Sequence, residues 1–296
     1  MIFHRSRLPL RREMAVDLGT AFIRIAMDEN DVVTIPTVWA TKSPFPNRIV
    51  ACPKMVIDVL RPFLGRAKRL GFLTPRVFVG VPTDATVSEE SKLISNTLCI
   101  AGAASAILVP RPFASAIGAG LDVSSPYAQM ILDAGEGIID GVIIRAGEIV
   151  AFQTDRIGHD NLRADVQKRT FHCWGRCLTR EEPDQIIPTI GFWSGSPGKR
   201  EVKHKFPLMF RSFSVNEFPS IIEPLVQEII GTATDLLKNL SPELGCEIIE
   251  NGIILTGGDA SLPGLKEQLA EVTLIKVLSP DNPHEVVIDG LRKILM

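Results

Sequence analysis

The chain predicts an α/β protein built as two similar halves around a cleft, and three stretches carry that prediction. The first is Met14-Ala15-Val16-Asp17-Leu18-Gly19-Thr20-Ala21-Phe22-Ile23-Arg24-Ile25-Ala26. It reads as a short buried strand, an Asp-x-Gly turn and a second strand. The second stretch repeats the idea about 116 residues later, as Met130-Ile131-Leu132-Asp133-Ala134-Gly135-Glu136-Gly137-Ile138-Ile139-Asp140-Gly141-Val142-Ile143-Ile144. The third, Ile253-Ile254-Leu255-Thr256-Gly257-Gly258-Asp259, is a strand and a glycine turn ahead of a helix. Two related hairpins imply two halves facing one ligand. Glycines let such turns come close to a ligand, and their backbone N–H groups can hold a phosphate. Asp17 and Asp133, where strand gives way to turn, can hold its metal ion through water. Taken singly, each motif is also compatible with an ordinary hairpin.

The remaining elements follow in order. Residues 1–13 form a basic tail with Arg5, Arg7, Arg11 and Arg12 among apolar residues; it reads as a disordered end or as a segment resting on an anionic membrane. Residues 14–40 are strands with a turn at Asn30-Asp31, and residues 41–47 are a Pro-rich loop. Residues 55–70 form a helix with Val56, Val59, Leu60, Phe63 and Leu64 on one side. Gly71-Phe72-Leu73-Thr74-Pro75 then puts two apolar residues at a loop tip beside Lys68, Arg69 and Arg76, a pattern suited to membrane contact through Phe72 and Leu73. A strand over 77–81 leads to a helix with Thr86 or Ser88 as cap. A strand over 107–109 leads to a helix over 113–121 opened by Pro112. Residues 161–213 form a small lobe with a core of Trp174, Phe192, Trp193, Phe206 and Phe210. Ser214-Val215-Asn216-Glu217 is a capping box for a helix to about residue 240. A helix over 262–270, a strand over 272–277 and a helix over 286–295 complete the chain.

Composition narrows the function. At 296 residues the chain is long enough for two cores, with domains expected at 14–125 and 126–296. A net charge of −2 gives no reason to expect nucleic acid as a partner. Five cysteines, an odd number, make no disulfide framework and suit a reducing cytoplasm. Cys173 and Cys177 with His172 are half of a metal-site spacing; lacking a second ligand pair, they read as ordinary thiols. No apolar run approaches the ~20 residues of a membrane span, and the basic start has no secretory h-region.

The three turns, in this order, resemble the actin-like ATPase superfamily. Pro75-Arg76-Val77-Phe78-Val79-Gly80-Val81-Pro82, Ala116-Ile117-Gly118-Ala119-Gly120-Leu121, Arg156-Ile157-Gly158-His159-Asp160 and Ser241-Pro242-Glu243-Leu244 narrow the likeness to the bacterial actin MreB family. The resemblance runs from about residue 14 to 295. It implies an actin-like, ribonuclease H-like fold of two domains around a nucleotide cleft, with ATP and Mg²⁺ as ligands. Asp17, Gly19, Thr20, Ala21, Asp133, Gly135, Gly137, Gly158, Asp160, Gly257 and Gly258 are then the candidate nucleotide residues, with Asp17 and Asp133 on the metal through water. It also implies a cytoplasmic cell-shape protein at the inner face of the membrane, self-associating or assembling with a full-length bacterial actin.

Four departures qualify this. The stretch between residue 40 and the helix near 55 is too short for subdomain IB, which predicts single protofilaments or hetero-assembly. Arg111 stands directly before Pro112, where the family has the glutamate that activates water; arginine has no acceptor and cannot act as the base. The second hairpin carries Glu136, Ile138 and Ile139 where the family has glycine and threonines. An uncompensated carboxylate that near a phosphate costs about 1–4 kcal/mol, which Arg111 or Mg²⁺ would have to offset. In Gln185-Ile186-Ile187-Pro188-Thr189-Ile190-Gly191, resembling the helix that holds adenine and ribose, the family's Lys and Glu are Ile187 and Thr189. The expectation is a nucleotide cleft with impaired hydrolysis. The alternatives are a nucleotide-independent pseudo-ATPase scaffold and a small chaperone-type ATPase.

Overall fold

A computed structural model describes residues 11–28, 31–37, 53–179, 181–190 and 219–295. Strands β1 (Glu13–Leu18), β2 (Phe22–Asp28) and β3 (Asp31–Pro36) are followed by helix α1 (Pro53–Arg66), β4 (Arg76–Val81), α2 (Thr83–Val87), α3 (Glu90–Ala101), β5 (Ser105–Pro110) and α4 (Arg111–Gly118). The second half runs β6 (Gln129–Ala134), β7 (Ile139–Arg145), β8 (Glu148–Asp155), α5 (His159–Trp174), α6 (Glu182–Ile190), α7 (Pro219–Lys238), α8 (Pro242–Asn251), β9 (Ile253–Thr256), α9 (Leu265–Thr273), β10 (Val277–Leu278) and α10 (Val286–Leu295). The sheets have orders β3-β2-β1-β4-β5 and β10-β9-β6-β7-β8. In each, the strand ending in the key aspartate pairs antiparallel with its hairpin partner and parallel with a later strand: β1 with β2 and β4, β6 with β7 and β9. This is the two-half α/β architecture expected from the hairpins.

Alternation along the central strands builds three apolar layers. Met14 and Val16 face α1 and α3, in a core with Leu60, Leu64, Ile94 and Leu98. Met130 and Leu132 face a second core with Val226, Ile229 and Leu269 from α7 and α9. The opposite faces meet in a third: Ala15 and Phe78 of one sheet and Ile131 and Val142 of the other, with Phe113 of α4 and Leu291 of α10. The α4–α10 crossing is backbone to backbone. A Cβ at Gly118 would lie 1.9 Å from the Val286 carbonyl oxygen, and one at Gly290 1.8 Å from that of Ala114. The C-terminal helix thus packs on α4 and β1, though it follows the second half in sequence.

Several boundaries differ from expectation. Of the strand expected over 272–277, Val272 and Thr273 are the end of α9, capped by Leu274 at φ 57°, and only Val277–Leu278 pair as strand. α4 begins at Arg111, not at Phe113. α1 ends at Arg66, because residues 69–73 fold into a tight loop. The expected Pro-rich loop, capping box and basic tail through residue 10, and most of the small-lobe core, lie outside the described residues.

Candidate functional site: a cleft closed by ion pairs

The tips of the two Asp-x-Gly hairpins face each other: a Cβ at Gly137 would lie 3.2 Å from Thr20. Beneath them sits Arg111, at the first turn of α4. Its Nη1 donates to Asp17 Oδ1 at 2.7 Å and its Nε to Asp133 Oδ2 at 3.1 Å. Arg24 on β2 donates to the other oxygen of Asp17 at 3.3 Å, and the Thr256 hydroxyl to Asp133 at 3.3 Å. A helix N-terminus disfavours a cation, so Arg111 is held there by its carboxylates and not by the helix. Burial works against the guanidinium charge, but Asp17 and Asp133 outweigh it, and Arg111 stays protonated. Burial likewise pushes the fully buried Asp17 carboxyl up, opposed by Arg111 and Arg24.

Glu136 is compensated from another direction than expected. Arg163 on α5 pairs with it and also holds Asp184 of α6 (Nε–Oδ1 2.9 Å) and Asp160 (3.1 Å). The offset looked for in Arg111 or Mg²⁺ therefore comes from Arg163, one turn beyond the Gly158-His159-Asp160 segment. His159 joins the same network: its Nδ1 lies 2.6 Å from Asp259 Oδ1 and its Nε2 3.5 Å from Asp184. Burial opposes its charge, but hydrogen bonds to Asp184 and Asp259 prevail and raise its pKa to about 10. The backbone contributes too. His159 and Asp160 N–H groups at the start of α5 donate to the Gly135 and Glu136 carbonyls at 3.3 and 2.8 Å.

Between these groups lies a cavity of about 240 Å³. Gly19, Thr20, Ala21, Asp133, Gly135, Gly257 and Gly258, among the candidate nucleotide residues, border it. Gly137 borders a smaller adjoining pocket. Gly257 has φ 89°, and a Cβ there would lie 2.2 Å from the Ala134 carbonyl oxygen, so the third turn closes directly on the second hairpin. Asp17 is buried behind Arg111, while Gly158 starts α5 and Asp160 faces Arg163. Arg24, His159, Arg163, Asp184 and Asp259 were not anticipated. A charged residue in the apolar strand 22–28, and the residues adjoining the quoted glycine motifs, were the available signals. On α6, Ile187 is fully buried in the second core, and the polar contact to the cleft comes from Asp184.

The two carboxylates expected on Mg²⁺ do not suit a hydrated divalent cation as they stand. Each accepts from Arg111, whose charge occupies the space between them. Among the described residues no cluster of three or more His, Cys, Asp or Glu could hold a metal ion.

The apolar loop lies away from the cleft. Leu70 and Phe72 are 75% and 71% exposed, whereas Leu73 is half-buried with its backbone paired to Arg69, both bonds 2.9 Å. The exposed apolar pair is thus Leu70 and Phe72, with Leu73 turned partly inward. Arg66, Lys68, Arg69 and Arg76 flank it in sequence and are exposed, and the Arg11 guanidinium donates to the Thr74 carbonyl and hydroxyl, both at 3.1 Å.

Comparison with known proteins agrees with this fold. The chain is 27% identical over 317 aligned positions to the cell shape-determining protein Mbl of Bacillus subtilis, covering 94% of each. It is 30% identical over 263 positions to the cell shape-determining protein MreB of Escherichia coli, covering 85% of this chain and 75% of that one. Its fold matches the crystal structure of MreB5 of Spiroplasma citri bound to ADP, with TM-score 0.79 and 19% identity over 96% of both chains. It also matches a MamK double helical filament, with TM-score 0.72 and 16% identity over 95% of this chain and 98% of that one. The family model of the MreB/Mbl protein matches residues 42–296, and the chain belongs to that family of actin-like proteins.

Proposed function

We propose that this chain is a self-associating cytoskeletal protein of the cell-shape class, working at the inner face of the membrane, with a cleft that binds nucleotide weakly and hydrolyses it slowly or not at all. The observation that carries the reading is Arg111. It occupies the α4 start, where the family resemblance calls for a water-activating glutamate, and it is bonded to both hairpin aspartates. The other cleft carboxylates are engaged as well: Glu136 by Arg163, Asp184 by Arg163 and His159, Asp259 by His159. This engagement supports slow or absent hydrolysis. Loss of a positioned base costs about 10²–10⁴-fold in rate. Nucleotide binding is supported by the retained glycine turns and by the bound ADP of the MreB5 relative, and weakness by the ion pairs a polyphosphate must rearrange. Self-association draws on the MamK filament, and membrane contact on the exposed Leu70 and Phe72 with their basic rim.

Phosphate release from ATP with Mg²⁺ tests the reading. The expected rate is background, unchanged by Asp133→Ala. Turnover at the pace of an ordinary MreB, lost in that variant, would sink it. The cleft's internal pairing also favours the nucleotide-independent scaffold as a second reading, against which titration with a fluorescent ATP analogue discriminates.

A further inference from the structure

Arg111 does more than replace a base. Asp17 ends a strand of the first half and Asp133 a strand of the second, so two buried carboxylates are brought together across the cleft. They repel unless a cation stands between them. Here that charge is covalently part of the chain, on a helix wedged between the sheets, bonded to one carboxylate from each half. Two further contacts cross in the same sense. Asp140 of the second half accepts from the backbone N–H and hydroxyl of Thr83 at 2.8 and 3.0 Å, and Arg156 pairs with Asp84 and Glu90, both at 2.8 Å.

We propose that Arg111 is a resident cation that clamps the two halves together in place of a divalent metal, so that the closed cleft requires neither metal nor nucleotide. A guanidinium suits the part: it keeps its proton and presents donors in a fixed plane to two carboxylates at once. A divalent ion seeking Asp17 and Asp133 must displace it. The inference rests on the reading of the cleft as non-hydrolysing and adds what holds it shut.

The test uses the full chain freed of divalent ions by chelation. Mn²⁺ binding is followed by electron paramagnetic resonance, and closure by small-angle X-ray scattering with and without Mg²⁺ and a non-hydrolysable ATP analogue. The expected result is no Mn²⁺ site and one radius of gyration under all conditions. Arg111→Met is expected to melt lower, on the order of 5–10 °C, and to gain a Mn²⁺ site that Asp17→Asn removes. A Mn²⁺ site in the unmodified chain that Asp17→Asn abolishes would overturn the inference, as would closure only with metal or nucleotide. Should Arg111→Met fail to fold, the measurements on the unmodified chain decide. Rapid ATP turnover refutes the reading of the cleft; metal-dependent closure without turnover refutes the clamp alone.

Discussion

The two Asp-x-Gly hairpins share strand order and register yet solve their charge problem in opposite ways. In the first, Asp17 sits opposite Arg24 on the partner strand. In the second, at the same register position, Asp133 sits opposite Asp140. The first hairpin therefore carries a counter-charge of its own. The second places two carboxylates side by side and adds Glu136 at its tip, so its compensation comes from other elements: charge from Arg111 for Asp133 and from Arg163 for Glu136, and hydrogen bonds from Thr83 and Thr154 for Asp140. A hairpin that cannot balance itself is stable only when docked. Of these contacts, those from Arg111 and Thr83 cross between the halves and make the second hairpin a point where the two depend on one another.

The largest test of this contrast is Arg163→Ala. It takes the Arg163 guanidinium away from the nearly buried Glu136, and removing one side of a buried pair costs about 3–5 kcal/mol. Urea denaturation at neutral pH should show that loss, and Glu136→Gly in the same background should recover most of it. Arg24→Ala in the first hairpin should cost less, about 1–2 kcal/mol, because Asp17 keeps Arg111. Equal costs would erase the distinction between the hairpins.

A smaller effect is expected from pH. Burial raises the Asp140 pKa from 3.8 to about 7, against hydrogen bonds from Thr83 and Thr154. The folded state thus binds this proton more tightly than the unfolded chain. Stability from Asp140 is full below the unfolded value and declines as pH rises through about 7. Asp140→Asn does not titrate, so the melting temperature of the unmodified chain should fall relative to the variant between about pH 4 and 8. A constant difference across that range would mean that Asp140 stays ionised in its threonine cage.

The smallest effect on folding is expected at the loop beyond α1. Leu70→Ser with Phe72→Ser should leave the melting temperature within about 1–2 °C, since exposed side chains contribute little. The same pair should weaken co-sedimentation with anionic vesicles. Unchanged sedimentation would remove this loop from membrane contact.

The sequence alone determined the features whose signal is local. Apolar runs of strand length bounded by glycine specified both hairpins. The identity of residue 111 was enough to exclude a general base there, because a guanidinium has no acceptor in any conformation. Tertiary structure alone decided which charges meet. Glu136 and Arg163 lie on different elements, His159 and Asp259 are 100 residues apart, and α10 crosses back to α4 through Gly118 and Gly290. Periodicity records whether a residue faces inward, but not which distant residue waits there. Mutual neutralisation of buried charges depends on separations of a few ångströms that only the folded chain defines.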